Sequence, residues 1–164
     1  MKIKNIFDKV KGKEIIIIGD SMVDSYVLGK INRNSPEAPV PIVDIQKEEV
    51  KLGGAANVAL NIQSLGMKPI LCSVIGEDED GKNFLEICKS NNLDTSGILV
   101  DSERKTTNKK RIIVDKKHIL RIDNEHTNFL NNEIFDRFLK NIEGLISDDQ
   151  IIILDCWLSN FFKF

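Results

Sequence analysis

The sequence predicts an α/β protein built on a parallel sheet, and three observations predict it. Ile15–Ile18, Pro69–Ile75 and Ile151–Leu154 are short apolar runs of the kind that fills strands covered on both faces. The segments between them carry apolar residues at helical spacing. From Ile15 to Ile75 the order is strand, helix, strand, a βαβ crossover, interrupted once by a proline-rich stretch.

The bulk numbers agree with that class. A chain of 164 residues is long enough for one domain with a real core. Hydrophobic content of 41% and charged content of 29% fit a globular protein in water. The net charge of -2, from 23 basic and 25 acidic residues, gives no general attraction to nucleic acid or to an anionic membrane. The opening MKIKNIFDKVKGKE lacks the apolar segment of a secretory signal, and no run reaches the roughly 18–20 residues of a bilayer span. A cytoplasmic protein is the expectation. Cys72, Cys88 and Cys156 form no C-x-x-C pair and read as buried free thiols in a reducing compartment. His118 and His126 have no cysteine near them, and no metal site is expected.

Taken in order, Ile15–Ile18 is the first strand. The following GDSMVD, Gly19–Asp24, is expected to be a loop at its carboxyl end, where ligands of open α/β sheets bind. That places Asp20 and Asp24 beside a ligand, or gives one of them a turn to cap. Asn32–Pro41 holds three of the four prolines, which excludes helix and disfavours a central strand. Pro41–Glu48 alternates Ile42, Val43 and Ile45 with Asp44, Gln46 and Lys47, a strand with one wet face outside the main sheet. Ser25–Lys51 is therefore expected to project as a flap. It would cover a ligand, make dimer contacts, or do both.

Gly53–Leu65, GGAANVALNIQSL, is the centre of the reading. Val58, Ala59, Ile62 and Leu65 share one helical face, Asn57 lies in the first turn, and Gly66 stands where a left-handed cap would end the helix. A glycine pair at a helix entrance lets a ligand approach the backbone and meet free N–H groups. It is equally an ordinary turn before a core helix. Pro69–Ile75 is the second strand, and Gly76–Gly81 the next carboxyl-end loop. Lys82–Asn91 is a helix with Phe84, Leu85, Ile87 and Cys88 inward. Ile98–Val100 is a short strand, and Thr106–Val114 with His118–Asp123 forms a hairpin about Asp115-Lys116-Lys117. Asn131–Ile146 is a helix with Ile134, Phe135, Phe138, Leu139, Ile142, Leu145 and Ile146 at helical spacing. After Ile151–Leu154 the pattern fails. Residues 155–164, DCWLSNFFKF, hold four of the ten aromatic residues and show neither turn signal nor helical period.

Two motifs bear on chemistry. Gly76–Asn83, GEDEDGKN, nearly fits a P-loop. Asn83 replaces the Ser/Thr that holds magnesium, and four successive acids would repel phosphate. A G-x-G-x-x-G fingerprint is also missing. Lys105, Lys109, Lys110 and Arg111 cluster. On a strand Lys109 and Arg111 face one side and Lys110 the other. Such a pair suits a phosphate or is a solvated strand edge. No Ser-His-Asp or Cys-His nucleophile arrangement is present, and paired acids for glycoside cleavage are not assignable.

At these residues the sequence resembles a known family. GDSMVDSYVLGKINRNSPEAPVPIV, GGAANVALNIQSLG, VIGEDEDGK, TTNKKR and ILRID occur in order. They resemble the amino-terminal half of the ribokinase-like carbohydrate kinases, over about residues 13–154. Gly53-Gly54-Ala55-Ala56-Asn57 resembles the wider family, and Ser35–Pro41 its heptose 7-phosphate kinase branch. The resemblance implies a three-layer α/β/α fold with a small β lid at about residues 25–51. It implies phosphoryl transfer from Mg-ATP to the anomeric hydroxyl of D-glycero-β-D-manno-heptose 7-phosphate, toward ADP-heptose for lipopolysaccharide core, and a homodimer through the lid. Asp24 corresponds to the acid that binds sugar hydroxyls, and Gly53, Gly54 and Asn57 to the sugar-contacting turn. Lys109 and Arg111 lie where the family's heptose branch has cations for the 7-phosphate. Asn32–Glu37 of the lid is expected to complete the pocket, although Asn34 stands where the family prefers an apolar residue.

The departures matter as much. The family's Gly-Ala-Gly-Asp anion hole, its catalytic aspartate and its Asp-Tyr-x-Lys-Gly loop do not occur in this sequence. Residues 1–154 are thus expected to be the amino-terminal part of a sugar kinase domain, with 155–164 an aberrant tail after a frameshift or gene interruption near Leu154–Asp155. The expectation is a chain inactive by itself, with one sheet edge uncovered. The alternatives are a non-catalytic remnant that dimerises or binds sugar weakly, and a kinase for another sugar or a nucleoside.

Overall fold

The computed structural model describes residues 3–148 and 150–155. Four strands form the central sheet: β1 (Glu14–Ile18), β4 (Lys68–Gly76), β5 (Ile98–Asp101) and β8 (Ile151–Leu154). Their order is β5-β4-β1-β8 and every pair is parallel. Successive side chains of a strand point to opposite faces, and the isoleucines of β1 serve both. Ile15 and Ile17 pack with Leu71 and Ile75 beneath α2 (Ala55–Ser64) and α3 (Glu79–Ser90). Ile16 and Ile18 pack with Val74 and Phe138 beneath α4 (Asn132–Leu145). A strand covered on both faces has no polar position to offer, which is why β1 reads as an unbroken run. The result is the three-layer α/β/α arrangement.

The helices meet the sheet as their spacing requires. Ala55, Ala56 and Ala59 of α2 are fully buried, so small side chains bring this helix close to the strands. From α3, Phe84 and Cys88 are buried, and from α4, Ile134, Phe138 and Ile142. Leu65, expected on the inner face of α2, is instead an exposed C-cap residue, followed by Gly66 at φ 84°. Burial pushes the Cys72 and Cys88 thiols up to about 12, with Asp94 adding to the effect at Cys72. Both are free and buried; Cys156 lies outside the described residues, as does the rest of the expected tail beyond Asp155. A first helix, α1 (Ile3–Val10), was not legible in the sequence. No helix among the described residues is long and apolar enough to cross a membrane.

The lid is larger than expected. β2 (Ser21–Asn34) and β3 (Pro41–Gly54) form a long antiparallel hairpin. β6 (Thr107–Val114) joins β2 in parallel, and β7 (Lys117–Asn124) closes the sheet β3-β2-β6-β7. The expected loop Gly19–Asp24 is therefore corrected: from Ser21 it is strand. Val23 and Val27 are buried on one face, while Met22, Asp24 and Tyr26 alternate onto the other, a half-buried strand whose polar positions imitate a loop. The flap spans Ser21–Gly54 rather than Ser25–Lys51, and Gly53 and Gly54 end its second strand. β6 lies between β2 and β7, so Lys109 and Arg111 are not on a sheet edge. At the β6–β7 turn Asp115 and Lys116 have φ of 47° and 65°, the left-handed pair of a two-residue hairpin loop.

The acidic stretch Glu77–Asp80 is also only partly a loop, because α3 begins at Glu79. Its acids fasten the lid to the body. Asp78 Oδ1 accepts from Gly81 N at 2.8 Å, capping α3, and Oδ2 accepts from Thr106 N at 2.9 Å. Asp80 accepts from the Asn108 amide at 2.7 Å, and Asn108 accepts from the Ser25 hydroxyl at 2.9 Å. Body helix, β6 and β2 are thereby joined in one chain of hydrogen bonds.

Candidate functional site

The carboxyl end of β1 meets the amino end of α2 through backbone. Ala55 N donates to the carbonyl of Asp20 at 2.9 Å. The Ser73 hydroxyl donates to Gly19 O at 2.8 Å and accepts from Ser21 N at 3.1 Å. These bonds fix the junction at which β2 departs for the lid and β3 returns from it. Two glycines make the junction possible. Gly54 has φ 59°, and a Cβ there would stand 2.2 Å from the Asp20 carbonyl oxygen. A Cβ on Gly53 would meet Met22 Cγ at 2.7 Å and Asp24 Oδ2 at 2.8 Å. The first glycine makes room for the Asp24 carboxylate and the second for the chain itself.

Against this junction lies an open cleft of about 550 Å³, lined among others by Gly54, Thr107, Lys109, Arg111, Arg121 and Asp123. A second opening of about 570 Å³, at the end of α3 beside Lys89, Asn92 and Asp94, has neither paired cations nor a glycine turn. The cleft's charges balance: Lys109, Arg111 and Arg121 against Asp20, Asp123 and Glu125. Arg111 donates to the Asp24 carboxylate and to Lys109 O, and its guanidinium lies 5.4 Å from the centre of the Tyr26 ring. The bond that Arg111 donates to Asp24 raises the Arg111 pKa further, against a smaller opposing effect of burial. Arg121 holds Asp123 through two bonds of 2.8 and 2.9 Å. Burial lowers the Arg104 pKa against the pull of Asp20 and Asp101. Arg104 donates to the carbonyls of His126 and Asn128, both at 3.4 Å, and so anchors the segment that brings Glu125 and Thr127 to the cleft.

Several residues singled out by sequence therefore come together. Lys109, Arg111 and Gly54 line the cleft; Asp24 is bonded to Arg111, and Gly53 lies against Asp24, neither of these two being among the lining residues. Lys110 faces a small recess on the opposite side, beside Ser25 and Val27. Asn57 is exposed on the first turn of α2, and Asn32–Glu37 lies at the lid's tip; neither is among the residues lining the cleft. Arg121, Asp123 and Glu125 were missed. Glu125 follows β7; the strand that carries Arg121 and Asp123 was legible, but the face on which Arg121 lies was not, because a bulge between Ile112 and Ile113 shifts the β6–β7 register and exchanges the faces beyond it.

The sequence pattern of the pfkB family of carbohydrate kinases matches residues 13–155. This chain belongs to the pfkB family of carbohydrate kinases. Two pfkB relatives are the bifunctional protein HldE of Helicobacter pylori strain P12, 47% identical over 144 residues, and that of Pelobacter propionicus, 40% identical over 152 residues. The matches cover 84% and 93% of this chain but 31% of each relative, so the chain spans about a third of their length. Among solved pfkB-fold structures, Escherichia coli phosphofructokinase-2 in complex with fructose-6-phosphate is similar at a TM-score of 0.64 and 16% identity. That likeness covers 87% of this chain and 45% of the other. A carbohydrate kinase from Agrobacterium tumefaciens matches with a TM-score of 0.57 at 18% identity, over 87% of this chain and 45% of its own.

Sugar kinases of the pfkB family use Mg-ATP generally, and the one phosphate-loop candidate of this chain does not offer a place for it. No three His, Cys, Asp or Glu side chains among the described residues lie together as metal ligands. The near-P-loop at Gly76–Asn83 is closed to phosphate, since Asp78 occupies the Gly81 N–H and further acids surround it.

Proposed function

We propose that this chain forms the acceptor-sugar half of a heptose kinase site. The substrate would be D-glycero-β-D-manno-heptose 7-phosphate, phosphorylated on its anomeric hydroxyl in the route to ADP-heptose and lipopolysaccharide core. The observation that carries the reading is the meeting, in one cleft, of Lys109 and Arg111 with Gly54 of the glycine turn. Cations at one end suit the 7-phosphate. The backbone turn at Gly54, which lines the cleft together with Asp20, suits the sugar's hydroxyls at the other. Identity of 40–47% to HldE proteins and the Ser35–Pro41 segment favour heptose over fructose, ribose or a nucleoside.

Phosphoryl transfer depends on charge stabilisation at the γ-phosphate, and the Gly-Ala-Gly-Asp motif that supplies it in the family does not occur in this sequence. The 164-residue chain is accordingly expected to bind the sugar phosphate without phosphorylating it. Calorimetric titration with heptose 7-phosphate, fructose 6-phosphate, ribose and adenosine tests the binding, and phosphorus NMR after incubation with Mg-ATP tests the transfer. Preference for the heptose phosphate without turnover is the expected result. Equal or stronger binding of another compound would overturn the substrate, and formation of a bisphosphate would overturn the inactivity.

A second reading rests on the lid's exposed apolar side chains: Ile45 and Val50 on β3, and Ile119, Leu120 and Ile122 on β7. Exposed apolar surface marks interaction sites; these residues lie on the two edge strands of the lid, and a lid-to-lid homodimer would cover part of them. Sedimentation of the chain and of Ile45→Lys tests this; a monomer at all concentrations excludes it.

A further inference from the structure

Arg111 and Arg121 are directly opposed partners on β6 and β7. Like charges in that relation destabilise a strand pair. Here each guanidinium is held by its own carboxylate, Arg111 by Asp24 and Arg121 by Asp123. Both arginines line the same cleft.

The hairpin turn does not by itself produce this opposition. The turn pairs Val114 with Lys117 and Ile113 with His118. Continued without a break, that register would set Arg111 against Leu120 and send Arg121 to the other face of the lid. One extra residue, Ile119, separates the Ile113–His118 pair from the Ile112–Leu120 pair. This bulge turns Arg121 into the cleft, and bulges are features that re-aim side chains beside sites. The outcome is two guanidinium forks on neighbouring strands, one partly buried and near the Tyr26 ring, the other half-exposed and paired with Asp123.

We propose that Arg111 and Arg121 form a two-armed clamp for a phosphate monoester dianion. This rests on the sugar-phosphate reading above and adds its second arm. A dianion between the forks accepts hydrogen bonds from both guanidiniums. It replaces their mutual repulsion with attraction to a shared anion. Asp24 and Asp123 are the counter-ions that steady the arms before the ligand arrives.

The test is titration of the 164-residue chain with heptose 7-phosphate and with the unphosphorylated heptose, at one fixed ionic strength. Arg121→Gln is expected to weaken binding of the phosphorylated sugar roughly ten- to hundredfold, the loss of charge-assisted hydrogen bonds, and to leave the free sugar unchanged. Arg121→Lys keeps the charge and loses the fork, and is expected to fall between; it is read alone if Arg121→Gln does not fold. Retention of the native preference for phosphorylated sugar in the Arg121 variant overturns the clamp. If Arg111→Gln loses that preference in the same experiment, the sugar-phosphate reading stands without the clamp. If the unsubstituted chain shows no preference for the phosphorylated sugar, both fall together.

Discussion

The guanidinium of Arg111 donates to the carboxylate of Asp24 from the neighbouring lid strand, and the two side chains are about equally shielded, 21% and 20% exposed. The acid that the family resemblance gives to sugar hydroxyls and the cation it gives to phosphate thus hold each other. Removing one partner leaves the other charge partly buried. Asp24→Asn is expected to cost about 1–3 kcal/mol, since Arg111 then faces Lys109 and Arg121 without its counter-ion. The double variant Asp24→Asn/Arg111→Gln is expected to cost less than the two single costs added. Urea unfolding of the four proteins measures this, and simple additivity would deny the pair any coupling. The raised Arg111 pKa adds no pH dependence near neutrality. A base with a raised folded pKa stabilises fully below its unfolded value, which for an arginine lies far above neutrality, and loses that only as pH rises through the folded value.

The glycine pair makes a separable prediction. A Cβ on Gly54 would press on the Asp20 carbonyl at 2.2 Å, with φ at 59°, and neither a backbone atom nor a left-handed angle yields cheaply. Gly54→Ala is expected to cost roughly 2–4 kcal/mol, the range of backbone strain combined with a forced shift. A Cβ on Gly53 meets only the side chains of Met22 and Asp24, which can move. Gly53→Ala is expected to fold with a smaller loss but to displace the Asp24 carboxylate and weaken sugar binding. Thermal melts with ligand titration distinguish the two, and equal destabilisation would contradict the geometry.

Asp78 ties α3 to the lid, and its carboxyl makes that tie sensitive to acid. Burial raises its pKa, but hydrogen bonds from Thr106 and Gly81 outweigh burial and hold it below the usual carboxylate range. A carboxyl with a depressed folded pKa gives stability that is present above its unfolded pKa, near 3.8, and lost as pH falls through the folded value. Asp78→Ala is expected to cost about 1–2 kcal/mol at neutral pH, for a lost cap and a lost loop bond. The deficit should shrink below about pH 4, where the unsubstituted chain loses the same bonds. Unfolding curves at pH 7 and pH 3 check this, and a deficit independent of pH would assign the effect to something other than the carboxylate.

What was legible in the sequence follows burial. β1 could be read because Ile15–Ile18 faces apolar helices on both sides, so every position carries the same signal. α3 and α4 could be read because Phe84, Cys88, Ile134 and Phe138 recur at the helical period on one buried face. The lid was less legible. β2 is buried on one face only, and Ser21–Asp24 alternates into a pattern that also suits a polar loop. Its pairing with β6 joins segments far apart in the chain, which no local period records. The cleft's lining was legible where it depends on residue type, as at Gly54, Lys109 and Arg111. It was hidden where it depends on register, as at Arg121, because the bulge at Ile119 leaves no mark of its own in the residues around it.

The edge of the central sheet gives the last prediction. β8 pairs with β1 along one side and is an edge strand among the described residues. Ile151, Ile152 and Leu154 are 47%, 44% and 61% exposed, although their sequence reads as a fully covered strand. An exposed apolar edge is a template for pairing with another chain, and natural edge strands carry lysine to prevent it. Leu154→Lys removes little buried surface, so its effect on stability is expected to stay within about 0.5 kcal/mol. Its effect on association is expected to be larger, with a lower rate of concentration-dependent aggregation than the unsubstituted chain. Light scattering during incubation at graded concentrations, with urea unfolding alongside, measures both quantities. Unchanged aggregation at unchanged stability would show that contacts between chains form elsewhere, with the exposed residues of β3 and β7 the next to be substituted.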